Sequence, residues 1–571
     1  MSPAPTKARK GETAKPTPPD KLHYDAGWRE TVEAVAMAVI LALLFRAFIA
    51  EPFVIPTGSM APTLMGRHKD VVCPECGYRY QANASKERDH QNVDTNYSVV
   101  NTACAVCRYR QQLDEQADPN QGSFSGDRII VSKFAYDLAE PRRWDVIVFK
   151  YPGDAVQNYI KRLVGLPSET LRIVGGNVYA KKGDSDFEIL RKPPHKLDTL
   201  LQIVHDNDYQ EEQLLETVWP PRWRPARGQE GSWKQTVDRK TIAGENQTAE
   251  PVWVRYHHVN ATQEDWQKIQ GTPPTIPRDA PTRLGELVTD FYAYNAYSAV
   301  DMDSGALETP QVLPHWVDDL ALDVTLRAEE AKGAVLLDLV RGGVHHTCRI
   351  DLATGEAVLS RRDAAGAALP FTVDDGGDSP NPKAKTSVRG KGTYRLRLSN
   401  VDHQTLLWVN GSVVAFDGPT TYRSEDLIHP AYSKQDAGDL EPAGVGLEGT
   451  KATLTHLRVL RDKYYLALNE PFGGNSDYTT GFSAETLRDP SKWSQTDMFD
   501  RRRTVQFELS DGQYFPMGDN SPQSADARTW NGPHFVERDL LIGKAVVIYW
   551  PHTWNRPIPF LPNFQRMGFI R

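Results

Sequence analysis

The sequence predicts a mainly β protein: an antiparallel sheet module with one N-terminal apolar helix, interrupted by an inserted β-sandwich. Three observations carry this. From Gly126 onward, short β-rich runs bounded by Gly, Pro or Asp follow one another as GDRIIVSKF, WDVIVFKYP, YIKRLVGL and TLRIVGGNVYAKKG. Residues 316–465 then give a train of alternating strands with regular turn signals, the pattern of a sandwich. After about Tyr465 the first pattern returns in RRTVQFELSDGQYFPMGDNS and DLLIGKAVVIYWP. At 571 residues the chain exceeds one ordinary core. A net charge of −8 argues against nucleic acid as the main partner, and the composition excludes a polytopic membrane protein.

Residues 1–28 form a Pro- and Lys-rich tail carrying Lys7, Arg9, Lys10, Lys15 and Lys21, expected to be disordered. Residues 29–50 are expected to form a transmembrane helix. Their apolar centre, Ala34 to Phe45, is flanked by Glu33 and Arg46, which can snorkel to the interfaces. A buried core helix is the competing reading. The basic tail predicts an N-terminus in the cytoplasm, with everything after residue 55 outside. A cleaved leader fits less well, because the apolar run starts late and Pro52 follows the nearest small-residue site.

The sheet module is expected to comprise 51–189 and 466–571. It carries an insertion at 67–125 with two pairs, Cys73-Pro-Glu-Cys76 and Cys104-Ala-Val-Cys107. Paired CxxC units suit tetrahedral ligation of a structural zinc ion, and two disulfides are the alternative in an exported domain. The larger insertion spans 190–465. In LALDVTLR, Leu320, Leu322, Val324 and Leu326 alternate with Ala321, Asp323 and Thr325; Asn410-Gly411 sits between two apolar runs as a hairpin turn. Such a sandwich would have its own core, entered and left at one exposed turn, and from sequence alone it is expected to be separable. Its rhythm and its W-V-N-G hairpin resemble concanavalin-like jelly-roll domains of laminin G or glycan-binding type, which implies a glycan or an envelope protein as a ligand.

Three separated stretches carry chemistry: IPTGSMAPTL (55–64), YIKRLVGLPSE (159–169) and MGDNSPQSADARTW (517–530). They supply Ser59, Lys161 and Ser524. A serine beside a neutral lysine is a route to nucleophilic catalysis without histidine. Strand side chains alternate, so only one of Lys161 and Arg162 points inward, and the apolar flanks Tyr159, Ile160, Leu163 and Val164 can bury Lys161. Burial can depress a lysine pKa by about 3–5 units and leave a free amine at neutral pH.

These stretches resemble, in order, the serine, lysine and GDN…SADSR boxes of the signal peptidase I family. The resemblance covers about half of the chain, chiefly 28–66, 126–190 and 465–550. It implies a membrane-bound serine endopeptidase that removes signal peptides from exported preproteins after small residues, through an acyl-enzyme. It assigns Ser59 as nucleophile and Lys161 as general base. Thr57 and the Ser59 amide become the oxyanion donors, Ser524 orients the lysine, and Asp526 with Arg528 forms a supporting pair. Ser521 and Pro522 stand where Arg and Asp are usual, and Ala527 replaces a serine. The family needs no cofactor for catalysis, so any zinc would be structural. It implies the bacterial cytoplasmic membrane, a single pass, an extracytoplasmic catalytic domain, and signal peptides, the bilayer and the secretion translocon as partners. The competing class is a non-catalytic envelope protein in which the sandwich binds glycan or protein.

Overall fold

The computed structural model describes residues 27–44, 49–89, 93–271, 275–277, 279–372, 377–379, 381–470, 476–554, 558 and 560–571. The chain forms two compact units, residues 1–51 and 52–571. In the first, an 18-residue helix runs over Gly27–Leu44. Among the described residues no helix is long and apolar enough to cross a membrane. Arg29, Glu30 and Glu33 occupy its first two turns, and at about 1.5 Å rise per residue it is shorter than a typical bilayer core. The span expected at 29–50 is therefore not found as such; residues 45–48 and the tail at 1–26 lie outside the described residues.

The second unit is mainly β, as expected. One antiparallel sheet runs in the order Arg128–Ser132, Leu541–Trp550, Val146–Tyr151, Asp154–Gly165, Gln513–Met517 and Val536–Glu537. A four-stranded sheet, Glu188–Ile189, Asn177–Lys181, Thr170–Val174 and Thr504–Glu508, shares its core. Ile147, Phe149 and Leu163 from the first sheet meet Leu171, Ile173, Val505 and Phe507 from the second. The two-residue period of these strands selects those residues: in Thr504–Glu508, Val505 and Phe507 are buried while Thr504, Gln506 and Glu508 are exposed.

Residues 202–461 contribute two further eight-stranded sheets packed face to face. Leu320, Leu322, Val324 and Leu326 point into the core between them, against Leu337, Leu339 and Val445. The opposite face of that strand is covered too: Asp323 accepts from Arg397 and Arg458. Asn410 and Gly411 close their hairpin with φ of 52° and 86°, the double left-handed turn that the Asn-Gly pair favours.

The expected separability of the large insertion meets a different arrangement. Strand Tyr97–Ala103 of the cysteine segment pairs with Tyr297–Asp301 of the insertion. Cys73, Cys104 and Tyr80 share a buried cluster with Leu214, Trp219, Val259, Trp266 and Ala293. Each CxxC segment alone is too short to build a core, so its apolar side chains are covered by the polypeptide that the sequence places with the sandwich.

Candidate active site

Ser59 lies in a single 3-10 turn, Gly58–Met60, and is 8% exposed. Met60 and Leu64 anchor the turn in an apolar cluster with Ile129, Val131 and Val148. Its backbone is held from outside: the Gly58 amide donates to Ser85 Oγ at 3.1 Å, and the Asn520 amide donates to the Ser59 carbonyl at 3.0 Å. Asn520 Nδ2 donates to the Gly58 carbonyl at 3.1 Å. Gly58 itself is required by close approach, because a Cβ there would collide with the Tyr294 ring.

Lys161 stands opposite Ile147 in the central strand pair, and Arg162 opposite Val146, so the two side chains leave on opposite faces. Lys161 Nζ donates to Ser59 Oγ at 2.8 Å and to the Ile160 carbonyl at 3.0 Å. Burial lowers its pKa to about 8, against an upward pull from Asp526 and Asp519. Arg162 makes a bidentate pair with Asp519, both contacts at 2.7 Å, and neither side chain is exposed. Thr63 adds a hydroxyl to the same carboxylate. Asp519 is thereby held ionised below the usual carboxylate range by its guanidinium partner, despite burial.

The GDN segment follows strand Gln513–Met517, whose Met517 is in register with Arg162. Asp526 accepts from Gly518 N at 2.8 Å and pairs with Arg528 at 2.7 Å, again wholly buried. Ser521, which departs from the family pattern, accepts from Arg528 Nη1 at 2.8 Å and from Leu466 N at 2.9 Å. Ser524 is buried beside Gly518, where a Cβ would strike its side chain, and its hydroxyl is among the groups that hold the Asp526 carboxyl below its ordinary range. Thr57 is half-buried in extended conformation before the serine turn, and its hydroxyl does not cap that turn.

Two residues of the site went unread in the sequence. Asn295 and Asn520 form a reciprocal amide pair, with Nδ2 to Oδ1 distances of 2.6 and 2.9 Å. Tyr294 packs under Gly58 and, with Ala61 and Met65, forms a small buried cluster. Both come from the large insertion, some 235 residues from Ser59 in sequence, and no local pattern around YAYNAYS signals a role at a distant turn. Asn295→Ala would take one partner from each end of the buried Asn520 amide, whose Nδ2 keeps only the Gly58 carbonyl, a loss of about 1–3 kcal/mol. It is expected to lower kcat of any reaction at Ser59 roughly 5–150-fold with little change in KM, and steady-state kinetics on the purified variant check this.

The four paired cysteines converge. Cys73 Sγ is 3.5 Å from Cys107 Sγ, Cys76 Sγ is 3.7 Å from Cys104 Sγ, and all four lie within 4.8 Å of one another. They are free thiols rather than two disulfides within the CxxC pairs. A tetrahedral ion with 2.3 Å bonds to sulfur sets sulfurs about 3.8 Å apart, so the spacing fits a four-thiolate zinc ion. Both knuckles have the same backbone: Cys73 N donates to Tyr78 O and Gly77 N to Cys73 O, as Cys104 N does to Tyr109 O and Arg108 N to Cys104 O. Gly77 and Arg108 take the left-handed conformation, at φ of 74° and 62°. The fifth cysteine, Cys348, is buried in the sandwich, where desolvation raises its thiol pKa.

Comparison with known proteins follows the same segments. The family described as signal peptidase, peptidase S26, matches residues 28–89, 110–220 and 444–550. A signal peptidase I of Pseudomonas fluorescens is 25% identical over 240 residues, 40% of this chain and 62% of its own length. A probable signal peptidase I-2 of Synechocystis is 27% identical over 192 residues, 33% of this chain and 58% of its own. The chain thus spans about three-fifths of the length of these curated relatives. Among solved structures, the carbohydrate-binding module CBM66 from Bacillus subtilis aligns with 42% of this chain and 94% of its own at 8% identity, with a TM-score of 0.22, too slight a likeness to argue from. The serine, lysine and GDN segments alike lie within the residues that match the signal peptidase family, peptidase S26, and it is this family that the chain resembles.

Proposed function

We propose that the protein is a membrane-anchored serine endopeptidase that removes signal peptides from exported preproteins by a Ser59–Lys161 mechanism. The observation that carries this reading is the 2.8 Å approach of Ser59 Oγ to a wholly buried lysine whose pKa has fallen to about 8. When Nζ is neutral, the same separation lets it accept the hydroxyl proton. Ser59 Oγ then attacks the scissile carbonyl, the oxyanion is held by Thr57 and the Ser59 amide, and Lys161 returns its proton to the leaving amine. Water, deprotonated by the regenerated neutral Lys161 amine, hydrolyses the ester. Asp526–Arg528 and Arg162–Asp519 fix the walls of the site without joining the proton transfer, since both carboxylates are already committed to guanidinium groups. Ser524, buried beside this region, is the residue that would orient Nζ. The apolar segment that ends a few residues before Ser59 would place cleavage at the lipid surface of the bacterial cytoplasmic membrane. The four cysteines would hold a structural zinc ion; no step of the reaction needs a metal.

The test is cleavage of a generic preprotein by the full chain in reconstituted vesicles, with mass spectrometry of the products. Small residues at the first and third positions before the cut are expected; large residues at both would contradict the substrate class. In the same assay Thr57→Ala is expected to lower turnover about 10²–10³-fold, the worth of one oxyanion donor, while Thr57→Ser stays close to wild type. Unchanged turnover in Thr57→Ala would leave the amide as sole donor.

A further inference from the structure

Behind the serine loop lies a second set of metal-binding side chains that peptide-bond chemistry does not use. His68, Asp70 and His552 bring two imidazoles and a carboxylate together, one donor atom from each within 4.8 Å of the others. His68 is wholly buried, and its Nδ1 lies 2.7 Å from the Gly66 carbonyl. A carbonyl can only accept, so Nδ1 carries the proton and Nε2 presents a bare lone pair. That Nε2 has no hydrogen-bond partner and lies 3.9 Å from Asp70 Oδ1. His552 is 4% exposed, with Nε2 paired to Asp70 Oδ2 at 2.7 Å, while its Nδ1 has no hydrogen-bond partner.

The surroundings are those of a supported ligand set. Trp554 Nε1 donates to Asp70 Oδ2 at 2.7 Å, and Gln81 Nε2 to Asp70 Oδ1 at 2.9 Å. Phe124 stacks on the His552 ring at 4.6 Å. Such outer contacts fix ring tautomer and carboxylate orientation around an ion. Bonds of 2.0–2.2 Å in tetrahedral geometry separate donor atoms by about 3.3–3.6 Å, between the separations found here, so small ring rotations would suffice. The Asp70 side chain keeps 16% of its surface exposed.

We propose that His68, Asp70 and His552 bind a divalent transition ion of the Zn²⁺ type, at a site separate from the cysteine cluster. Two imidazoles and one carboxylate suit such an ion better than Mg²⁺ or Ca²⁺, which take oxygen donors. Its place gives it a bracing role. His68 opens strand His68–Val72, two residues after Gly66, and Gly66 packs so tightly on the Thr57–Gly58 backbone that a Cβ would collide with it. His552 follows strand Leu541–Trp550. The ion ties the C-terminal segment to the strand behind the Thr57–Gly58 loop.

The test uses the full chain, stripped with a chelator and dialysed against Zn²⁺, with bound metal counted by mass spectrometry. His552→Gln and Asp70→Asn are each expected to bind one equivalent fewer than wild type, and Zn²⁺ should raise the melting midpoint of wild type more than that of either variant. Melting curves in chelator establish that the variants fold. X-ray absorption on zinc-loaded wild type gives an arm that needs no variant: a nitrogen/oxygen shell is expected beside any sulfur shell. Equal zinc content in wild type and folded variants, or a sulfur shell alone, would overturn the site.

Discussion

Lys161→Met is expected to abolish cleavage and at the same time to make the protein more stable at neutral pH. The first half follows from the amine's position 2.8 Å from Ser59 Oγ, since a thioether cannot take the hydroxyl proton. The second follows from burial. The lysine pKa falls from 10.5 to about 8, so the folded protein holds that proton less tightly than the unfolded chain. Between pH 8 and 10.5 the unfolded state binds more protons, and wild-type stability therefore rises with pH in that window. Below about pH 8 both states are protonated and the full penalty is present, of order 3 kcal/mol at 1.36 kcal/mol per unit. Methionine fills much the same volume without a charge, so the variant should recover most of that penalty at pH 7 and little of it above pH 10.5. Wild-type cleavage should rise with pH through about 8 as the amine becomes neutral. Denaturant melts of the two proteins across pH, beside a cleavage assay, check both halves. A variant that keeps near-wild-type turnover would end the proton-transfer role of Lys161. One that is inactive and equally less stable at every pH would place the residue in packing alone.

The legible parts of this molecule were those written in local pattern. Alternation exposed strands such as Leu320–Ala328 and Thr504–Glu508, and Asn410-Gly411 announced its own turn. The serine and lysine segments were readable because Gly, Pro and apolar flanks prescribe a tight loop and a buried strand. The cysteine pairs converge as their spacing suggested. Illegible were the residues whose meaning comes from a partner far along the chain. Asn295 reads as a polar loop residue until Asn520 stands 2.6 Å away, and His68 and His552 are separated by nearly the whole catalytic sheet. The N-terminal helix is described over Gly27–Leu44, with three charges in its first two turns, while residues 45–48 of the segment expected at 29–50 lie outside the described residues.

Replacing residues 190–465 by a short Gly/Ser loop is expected to leave an enzyme that neither cleaves nor melts cooperatively. The sequence alone favours the opposite outcome, because the sandwich core of Leu322, Leu337, Val445 and their neighbours closes on itself. What decides is the material between the sandwich and the catalytic sheet. The excision would strip Trp219, Trp266, Val259 and Ala293 from the cluster that buries the cysteines, and would remove strand Tyr297–Asp301 from its pairing with Tyr97–Ala103. It would also take Tyr294 from under Gly58, Asn295 from Asn520, and Lys463, which donates to the Ala61 carbonyl at 3.5 Å. Deleting one buried large aromatic costs about 3–5 kcal/mol, and a whole domain is stable by only about 5–15 kcal/mol. Losing two tryptophans and a tyrosine therefore exceeds what the catalytic sheet can absorb, even with zinc on the cysteines. Circular dichroism melts and a cleavage assay on the shortened chain test this directly. A cooperative melt with retained cleavage would mean that the serine turn is held by Ser85, Asn520 and its own apolar anchors alone. Point variants separate the two contributions: Asn295→Ala acts on turnover with the fold intact, whereas Trp266→Ala should lower the melting midpoint while leaving the Ser59–Lys161 approach in place.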